Sequence, residues 1–189
     1  MQMHPVLERA GTNAELPVWA RCGKRRRAHG VRVGDLLAAW ATQLALPERD
    51  RVRWRAAGVL HDALKDAPFA ELHEVAGEGW PDPVVHAPAC AARLATDGVD
   101  DPFLLDAIRY HPVGHPDLDP LGEYLILADY LEPGRNVGSA KRQRLRDRLP
   151  EDRHEVLTEV VCQRLGRLLG KNRPLMDCSV GLWNRLVNP

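Results

Sequence analysis

An all-α domain is the fold class this sequence predicts, and three observations carry that expectation. Ala, Leu and Arg dominate, while β-branched runs are few. Apolar residues recur at three- and four-residue spacing in one stretch after another. Between those stretches stand Pro and Gly stops. A chain of 189 residues with 44% apolar and 28% charged content has the makeup of one soluble domain with a proper core. No internal repeat, low-complexity segment or linker divides it. One domain over residues 1–189 is therefore expected, with an N-terminal arm (1–23), a helical core (24–135) and C-terminal helices (136–189).

Residues Met1 to Pro17 show weak periodicity and read as a short lead helix or a loosely docked arm. From Lys24 the pattern sharpens. Val33, Leu36, Leu37, Trp40 and Leu44 form one apolar stripe, His29 lies one turn before it, and Pro47 closes the helix. The cations Lys24 to Arg27 fall in the first turn, where the helix dipole disfavours them. They form either a solvated face or a contact with an anion. A second helix is expected from Glu48 to Lys65. Its inner stripe is Val52, Ala56, Val59, Leu60 and Ala63, with His61 and Asp62 at or beside that face, and Asp66-Ala67-Pro68 closes it.

Phe69 to Val75 reads as one turn of helix. A loop with Gly77, Gly79, Pro81 and Pro83 then delivers His86 at the start of a helix over Val84 to Ala95. Asp101-Pro102 pairs a capping residue with Pro at the first helical position. Leu104, Leu105, Ile108 and His111 continue that helix until Pro112, Gly114 and Pro116 stop it. Leu121 to Leu131 is the most apolar helix and surrounds a single carboxylate, Asp129. Glu132-Pro133-Gly134-Arg135 breaks it. Helices over Ser139 to Leu149 and Glu151 to Leu169 follow, the latter with Leu157, Val161, Leu165 and Leu168 at core spacing. Asp177 to Leu186 closes the chain as a short helix carrying Leu182 and Trp183.

The totals exclude several classes. Acidic and basic residues balance at 26 each, so no global charge favours nucleic acid. The Arg-rich helix Lys141 to Arg148 therefore reads as a solvated face, with an RNA-associated role the weaker alternative. No apolar run approaches the roughly 20 residues that span a bilayer. Cys22, Cys90, Cys162 and Cys178 are scattered without a CxxC pair, and no apolar leader is visible, so reduced thiols in the cytoplasm are expected.

Five polar groups stand apart because they lie on or near the inner faces of apolar helices: His29, His61, Asp62, His111 and Asp129; His86, at the start of a helix, is a sixth candidate. One buried His is usually a hydrogen-bonded core residue. A buried unpaired carboxylate costs several kcal/mol, roughly, and needs a partner. Six such groups on five helices find one common explanation in a shared cation, which satisfies the carboxylates and takes neutral imidazoles as ligands.

The order His…His-Asp…His…His…Asp resembles the HD-domain superfamily of metal-dependent phosphohydrolases. Within it the chain is most similar to the YqeK-like branch, the symmetrical diadenosine tetraphosphate hydrolases. The stretches that carry the resemblance are Arg26 with His29-Gly30-Val31, Gly58 to Lys65, and His86-Ala87-Pro88. Asp106 to His111, Leu127 to Arg135 and the tail Leu182-Trp183-Asn184 complete it. The likeness runs from about Arg25 to the end. A lone His-Asp dipeptide carries no weight, but Leu-His-Asp-x-x-Lys with Ala-Asp-Tyr-x-Glu-Pro-Gly-Arg downstream is specific. One departure matters. After the fourth His the family usually carries Thr and Gly, whereas here His111 is followed by Pro112-Val113-Gly114-His115. A contact near the substrate or the metal is expected to differ.

The resemblance implies a helical HD-domain bundle with a dinuclear site in its core. His29, His61, Asp62 and Asp129 would hold one metal, and His86 and His111 a second, with Asp62 bridging. Two such cations can activate water and neutralise phosphate together. Imidazole and carboxylate ligands suit iron, manganese or a similar transition metal in divalent or mixed-valent form, and the resemblance favours iron. Lys65, one turn after His61, reads either as a surface lysine or as a phosphate contact where charge develops. Arg26 and Arg135 are expected to grip phosphate, and Glu132, grouped with them on the substrate side, reads either as a support behind a metal ligand or as the partner of an Arg. Lys24, Arg25, Arg27, His4, His73 and His154 are expected on the surface, and so is His115, with protonation of the leaving group its alternative role.

The implied activity is cleavage of diadenosine tetraphosphate into two ADP, with a small nucleotide as partner. Two alternatives stand beside it: hydrolysis of another nucleotide or phosphoester, and a nucleotide sensor without turnover. The sequence leaves the oligomeric state open, a homodimer included.

Overall fold

The computed structural model describes residues 3–135 and 138–188. Residues 1, 2, 136, 137 and 189, at the edges of the expected arm and C-terminal region, lie outside the described residues. Ten helices are found among those described. They are α1 (Pro5–Asn13), α2 (Lys24–Gln43), α3 (Glu48–Leu60), α4 (Phe69–Ala76), α5 (His86–Thr96), α6 (Pro102–Tyr110), α7 (Pro120–Leu131), α8 (Ser139–Arg146), α9 (Arg153–Leu169) and α10 (Asp177–Val187). The all-α class holds.

The most apolar helix is the central one. Every residue of α7 from Leu121 to Ala128 is buried. Its start is set by Asp119, whose side chain accepts from the Gly122 N–H at 2.9 Å, with Pro120 inside the first turn. Helices α2, α3, α6 and α9 pack around it. Glu123 is buried on α7 but paired, lying 2.7 Å from Arg185 of α10 and 3.2 Å from Arg153 at the start of α9. That pairing ties the C-terminal helices to the core.

Helices α2 and α3 meet backbone to backbone. A Cβ added at Gly58 would lie 2.5 Å from both Cα and N of Gly34. The absence of side chains at Gly34 and Gly58 lets the two helices approach closely, and His29 then reaches the neighbourhood of His61. The N-terminal segment is a docked helix. His4 caps α1 by accepting from the Val6 N–H at 3.3 Å, and Leu7, Ala10 and Gly11 are buried. Arg55 of α3 donates to the Gly11 carbonyl at 2.9 Å, closing the C-terminal end of α1.

Several boundaries differ from expectation. Helix α2 ends at Gln43, before Pro47, because Ala45 adopts a left-handed backbone (φ 55°). Leu44 falls past that end and is exposed. Leu168, expected at core spacing, is also exposed, since α9 overruns the body of the domain in its last turn. Helix α4 has two turns, and Leu72 is its buried contact. No helix of the described residues is long and apolar enough to cross a membrane. The four cysteines are unpaired.

Candidate metal centre

The Gly58–Lys65 stretch departs from the helix expected over Glu48 to Lys65. Helix α3 stops at Leu60, and the chain tightens into turns. Ala63 N–H donates to Leu60, Lys65 N–H to Asp62 and Ala67 N–H to Leu64, all three-residue spacings. The His61 ring itself takes part, its Nδ1 lying 2.6 Å from the Gly58 carbonyl oxygen. A neutral ring bonded in this way carries its proton on Nδ1 and turns the Nε2 lone pair inward. His111 repeats the device one residue past the end of α6, with Nδ1 at 2.7 Å from the Ile108 carbonyl. Both histidines therefore close their helices and face the same point.

The carboxylate of Asp62 stands at that point. Its Oδ1 lies 3.1 Å from Nε2 of His86 and 3.6 Å from Nε2 of His111. Its Oδ2 lies 3.6 Å from Nε2 of His61. His29 comes from the second turn of α2, with Nε2 at 3.1 Å from Oδ1 of Asp129 on α7. The same Asp129 oxygen is 4.0 Å from His61 Nε2. All six expected ligand residues thus converge, drawn from α2, the ends of α3 and α6, the start of α5, and α7.

Electrostatics bind this cluster together. Burial pushes Asp62 up, but His61, His111 and His86 outweigh it and hold the carboxyl well below its usual range. Asp129 likewise overcomes burial through His29, His61 and Arg135 and stays ionised. Burial pushes His61 and His111 down and takes His86 to about 4, so these rings are neutral at pH 7. His29 moves up, because Asp129 and Glu132 outweigh its burial.

The arrangement suits a metal. Among the described residues, two triads bring one ligand atom from each member within 4.8 Å of one another: His29, His61 and Asp62, and Asp62, His86 and His111. Asp62 belongs to both. Nε2 of His61 is buried without a hydrogen-bond partner, an orphan that a cation would satisfy. Neutral imidazoles with ionised carboxylates are a divalent-metal donor set.

The expected substrate-side residues take different positions. Lys65 is half-buried, with Nζ 3.1 Å from both ring nitrogens of His86 and 3.4 Å from the Pro83 carbonyl. Burial moves its pKa down. Arg26 lies 3.7 Å from Asp62 and 3.2 Å from Asp66. Arg135 donates to Asp129 at 2.6 Å. Lys24, Arg25 and Arg27 are exposed. Glu132 is not on the open side. It is 2% exposed and engaged by His29, Arg32 and the Gly134 N–H. His115 lies against the Tyr110 ring, 4.5 Å between centroids, outside the cluster.

Sequence reasoning missed two arginines. Arg32 pairs with Glu132 at 2.6 Å. Arg164 of α9 donates to the His111 carbonyl at 3.2 Å and to the Pro112 carbonyl, bracing the turn that presents His111. The one signal for Arg164 was a charge set among the apolar positions Val160, Val161 and Leu165.

A helical domain whose core histidines and aspartates meet at one point defines a metal-binding protein of a known class. The chain belongs to the HD domain family, whose profile matches residues 26–134. It is 31% identical over 160 residues to the symmetrical bis(5'-nucleosyl)-tetraphosphatase of Bacillus subtilis, covering 78% of this chain and 84% of that protein. It is 26% identical over 147 residues to the enzyme of the same name from Halalkalibacterium halodurans, covering 73% and 78%. The crystal structure of an HD superfamily hydrolase from Clostridium acetobutylicum shares the fold, with a TM-score of 0.75 over 98% of both chains at 23% identity.

Proposed function

We propose that this protein is a metal-dependent phosphohydrolase that cleaves dinucleoside tetraphosphates symmetrically, taking diadenosine tetraphosphate to two ADP. The reading is supported by relatives that bear the symmetrical tetraphosphatase name and by the carboxylate of Asp62 shared between two histidine triads. In it, His29, His61, Asp62 and Asp129 would hold one ion. His86 and His111 would hold a second, with Asp62 belonging to both sets. Iron, favoured by the resemblance, or a similar transition metal would fit these donors. When bound, they would supply an activated water and neutralise phosphate charge.

The chain's own residues bind and orient the substrate. Lys65 beside His86, Arg26 beside Asp62 and Arg135 beside Asp129 set three cations around the centre. A tetraphosphate chain laid across them exchanges water for charge-assisted hydrogen bonds. One of the two inner phosphates is then held for in-line displacement. Water oxygen bonds to phosphorus and its proton passes to solvent, the bridging P–O bond breaks with its electron pair on the bridging oxygen, and the second nucleoside diphosphate leaves carrying that oxygen. Glu132 takes no part on the substrate side. The reading includes a soluble cytoplasmic protein with a small nucleotide as partner.

The test couples metal analysis of protein purified without chelators to product identification from diadenosine tetraphosphate. Two ADP and a bound transition metal are expected. ATP plus AMP would overturn the symmetric cut. Faster turnover of nucleoside monophosphates or cyclic nucleotides would move the substrate elsewhere in the family. Tight binding without product in any metal would make the protein a sensor.

A further inference from the structure

We propose that Arg32 and Glu132 form a positioning relay that fixes the ring of His29, and that Gly134 is the residue that admits it. The proposal rests on the metal-centre reading only in taking His29 as a ligand.

The histidines of the cluster solve one problem in two ways. A ligand imidazole needs a partner for its other nitrogen, or the ring neither keeps its tautomer nor its orientation. His61 and His111 sit past the ends of helices, where the carbonyl three residues back is open to Nδ1. His29 lies inside α2, where backbone carbonyls are engaged in the helical ladder. Its acceptor has to come from outside the helix. Glu132 supplies it from the break after α7, with Oε1 at 3.1 Å from His29 Nδ1.

A buried carboxylate needs compensation of its own. Arg32 provides it, donating Nε to Oε2 at 2.6 Å and Nη2 to Oε1 at 3.4 Å. The Gly134 N–H adds a further bond at 2.7 Å. Arg32 lies three residues after His29 on α2, so the helix presents both ends of the relay on one face. A Cβ at residue 134 would lie 2.5 Å from Arg32 Nε and 2.6 Å from Cζ. Glycine there leaves room for the guanidinium. The Pro-Gly break thus turns the chain and also opens the space through which Arg32 reaches Glu132.

The test measures metal affinity by chelator competition, together with the His29 tautomer by 15N-histidine NMR of the metal-free protein at pH 9. Glu132→Ala is expected to weaken metal binding by roughly 10- to 100-fold, the range for lost outer partners of a ligand histidine. Arg32→Ala should act in the same direction, and Arg32→Lys should not restore the wild-type value, because a lysine lacks the fork. The double variant should be no worse than Glu132→Ala alone, since the two residues act as one unit. At saturating metal, KM should stay at its wild-type value. Glu132→Gln keeps the side-chain volume and carries the test if Glu132→Ala does not fold. Wild-type affinity in both Glu132→Gln and Arg32→Ala would overturn the relay, as would strictly additive losses. A wild-type His29 carrying its proton on Nε2 at pH 9 would overturn it whether or not metal binds. Wild-type protein that binds no transition metal, yet shows the Nδ1 proton, would sink the metal reading and leave the relay standing.

Discussion

Nε2 of His61 lies 3.6 Å from Oδ2 of its chain neighbour Asp62 and is buried without a hydrogen-bond partner. Leaving such an atom unpaired costs about 1–3 kcal/mol. The same ring has its Nδ1 bonded to Gly58, which leaves the Nε2 lone pair free for a cation. Asp62→Ala removes the carboxylate that both triads share. Turnover should fall at least roughly 100-fold, beyond the effect of losing an outer partner, and the metal content of the purified protein should fall with it. Wild-type hydrolysis by metal-analysed Asp62→Ala protein would sink the shared-carboxylate assignment.

Metal should stabilise the folded chain by mass action. Free ion at 100 times its dissociation constant contributes about 2.7 kcal/mol per site. At roughly 2–4 °C per kcal/mol for a chain of this size, Tm should rise by about 5–11 °C for each occupied site. Calorimetry with and without chelator measures it. In His61→Leu the increment should shrink sharply while the chelated protein keeps a Tm near wild type, because removing the unpaired Nε2 offsets the lost Nδ1 bond to Gly58.

Gly58→Ala tests the approach of α2 to α3. The new Cβ meets backbone of Gly34 at 2.5 Å, which no side-chain rotation can relieve. Overpacking of this kind costs about 1–3 kcal/mol or more. Chemical denaturation should report that loss. Metal affinity should drop as well, since His29 and His61 ride on the two helices that are forced apart.

Asp101 links stability to pH. It caps α6 through the Leu104 N–H at 3.1 Å and binds Arg53 at 2.6 and 2.7 Å. Burial raises its pKa, but Arg53 and the cap outweigh burial, and the folded value lies below 3.8. For a depressed carboxyl, the stability is fully present above the unfolded value of 3.8 and is lost as pH falls through the folded value. Asp101→Ala should cost about 2–4 kcal/mol at pH 7, from the cap and the stranded Arg53. Urea titrations should show that the gap to wild type narrows below pH 3.8.

Arg135→Ala and Lys65→Ala should each lower kcat/KM for diadenosine tetraphosphate by roughly 10- to 100-fold, given about 1.5–3 kcal/mol for a charge-assisted bond. Arg135→Lys should recover little, because a point charge does not replace a bidentate grip. Wild-type kcat/KM in all three variants would remove both residues from the substrate side.

Much of this protein is legible locally. The stripe through Val33, Leu37 and Trp40 and the run Leu121 to Ala128 specify helices that bury one face or all of it, because periodicity is a property of neighbouring residues. The six polar groups also stand out in sequence, since His and Asp inside apolar helices need partners, and they do converge. Helical spacing does not carry past a helix end. Lys65 comes beside His86 through a chain that tightens after Leu60, where the His61 ring takes the Gly58 carbonyl, and not through a further helical turn from His61. Leu168 was placed by periodicity alone, which cannot say where the neighbouring helices stop.

By itself the sequence determined an all-helical chain, the helix-ending position of His111 ahead of Pro112, and the set of residues available to a metal. Only the tertiary structure decided which of them meet. Glu132 lies 103 positions from His29, and whether it faces substrate or supports that ring depends on how α7 packs against α2. Arg32 and Arg164 acquire their roles in the same way. Helical periodicity assigns a residue to a face, whereas partners on separate helices are chosen by interhelical packing, which short-range spacing does not encode.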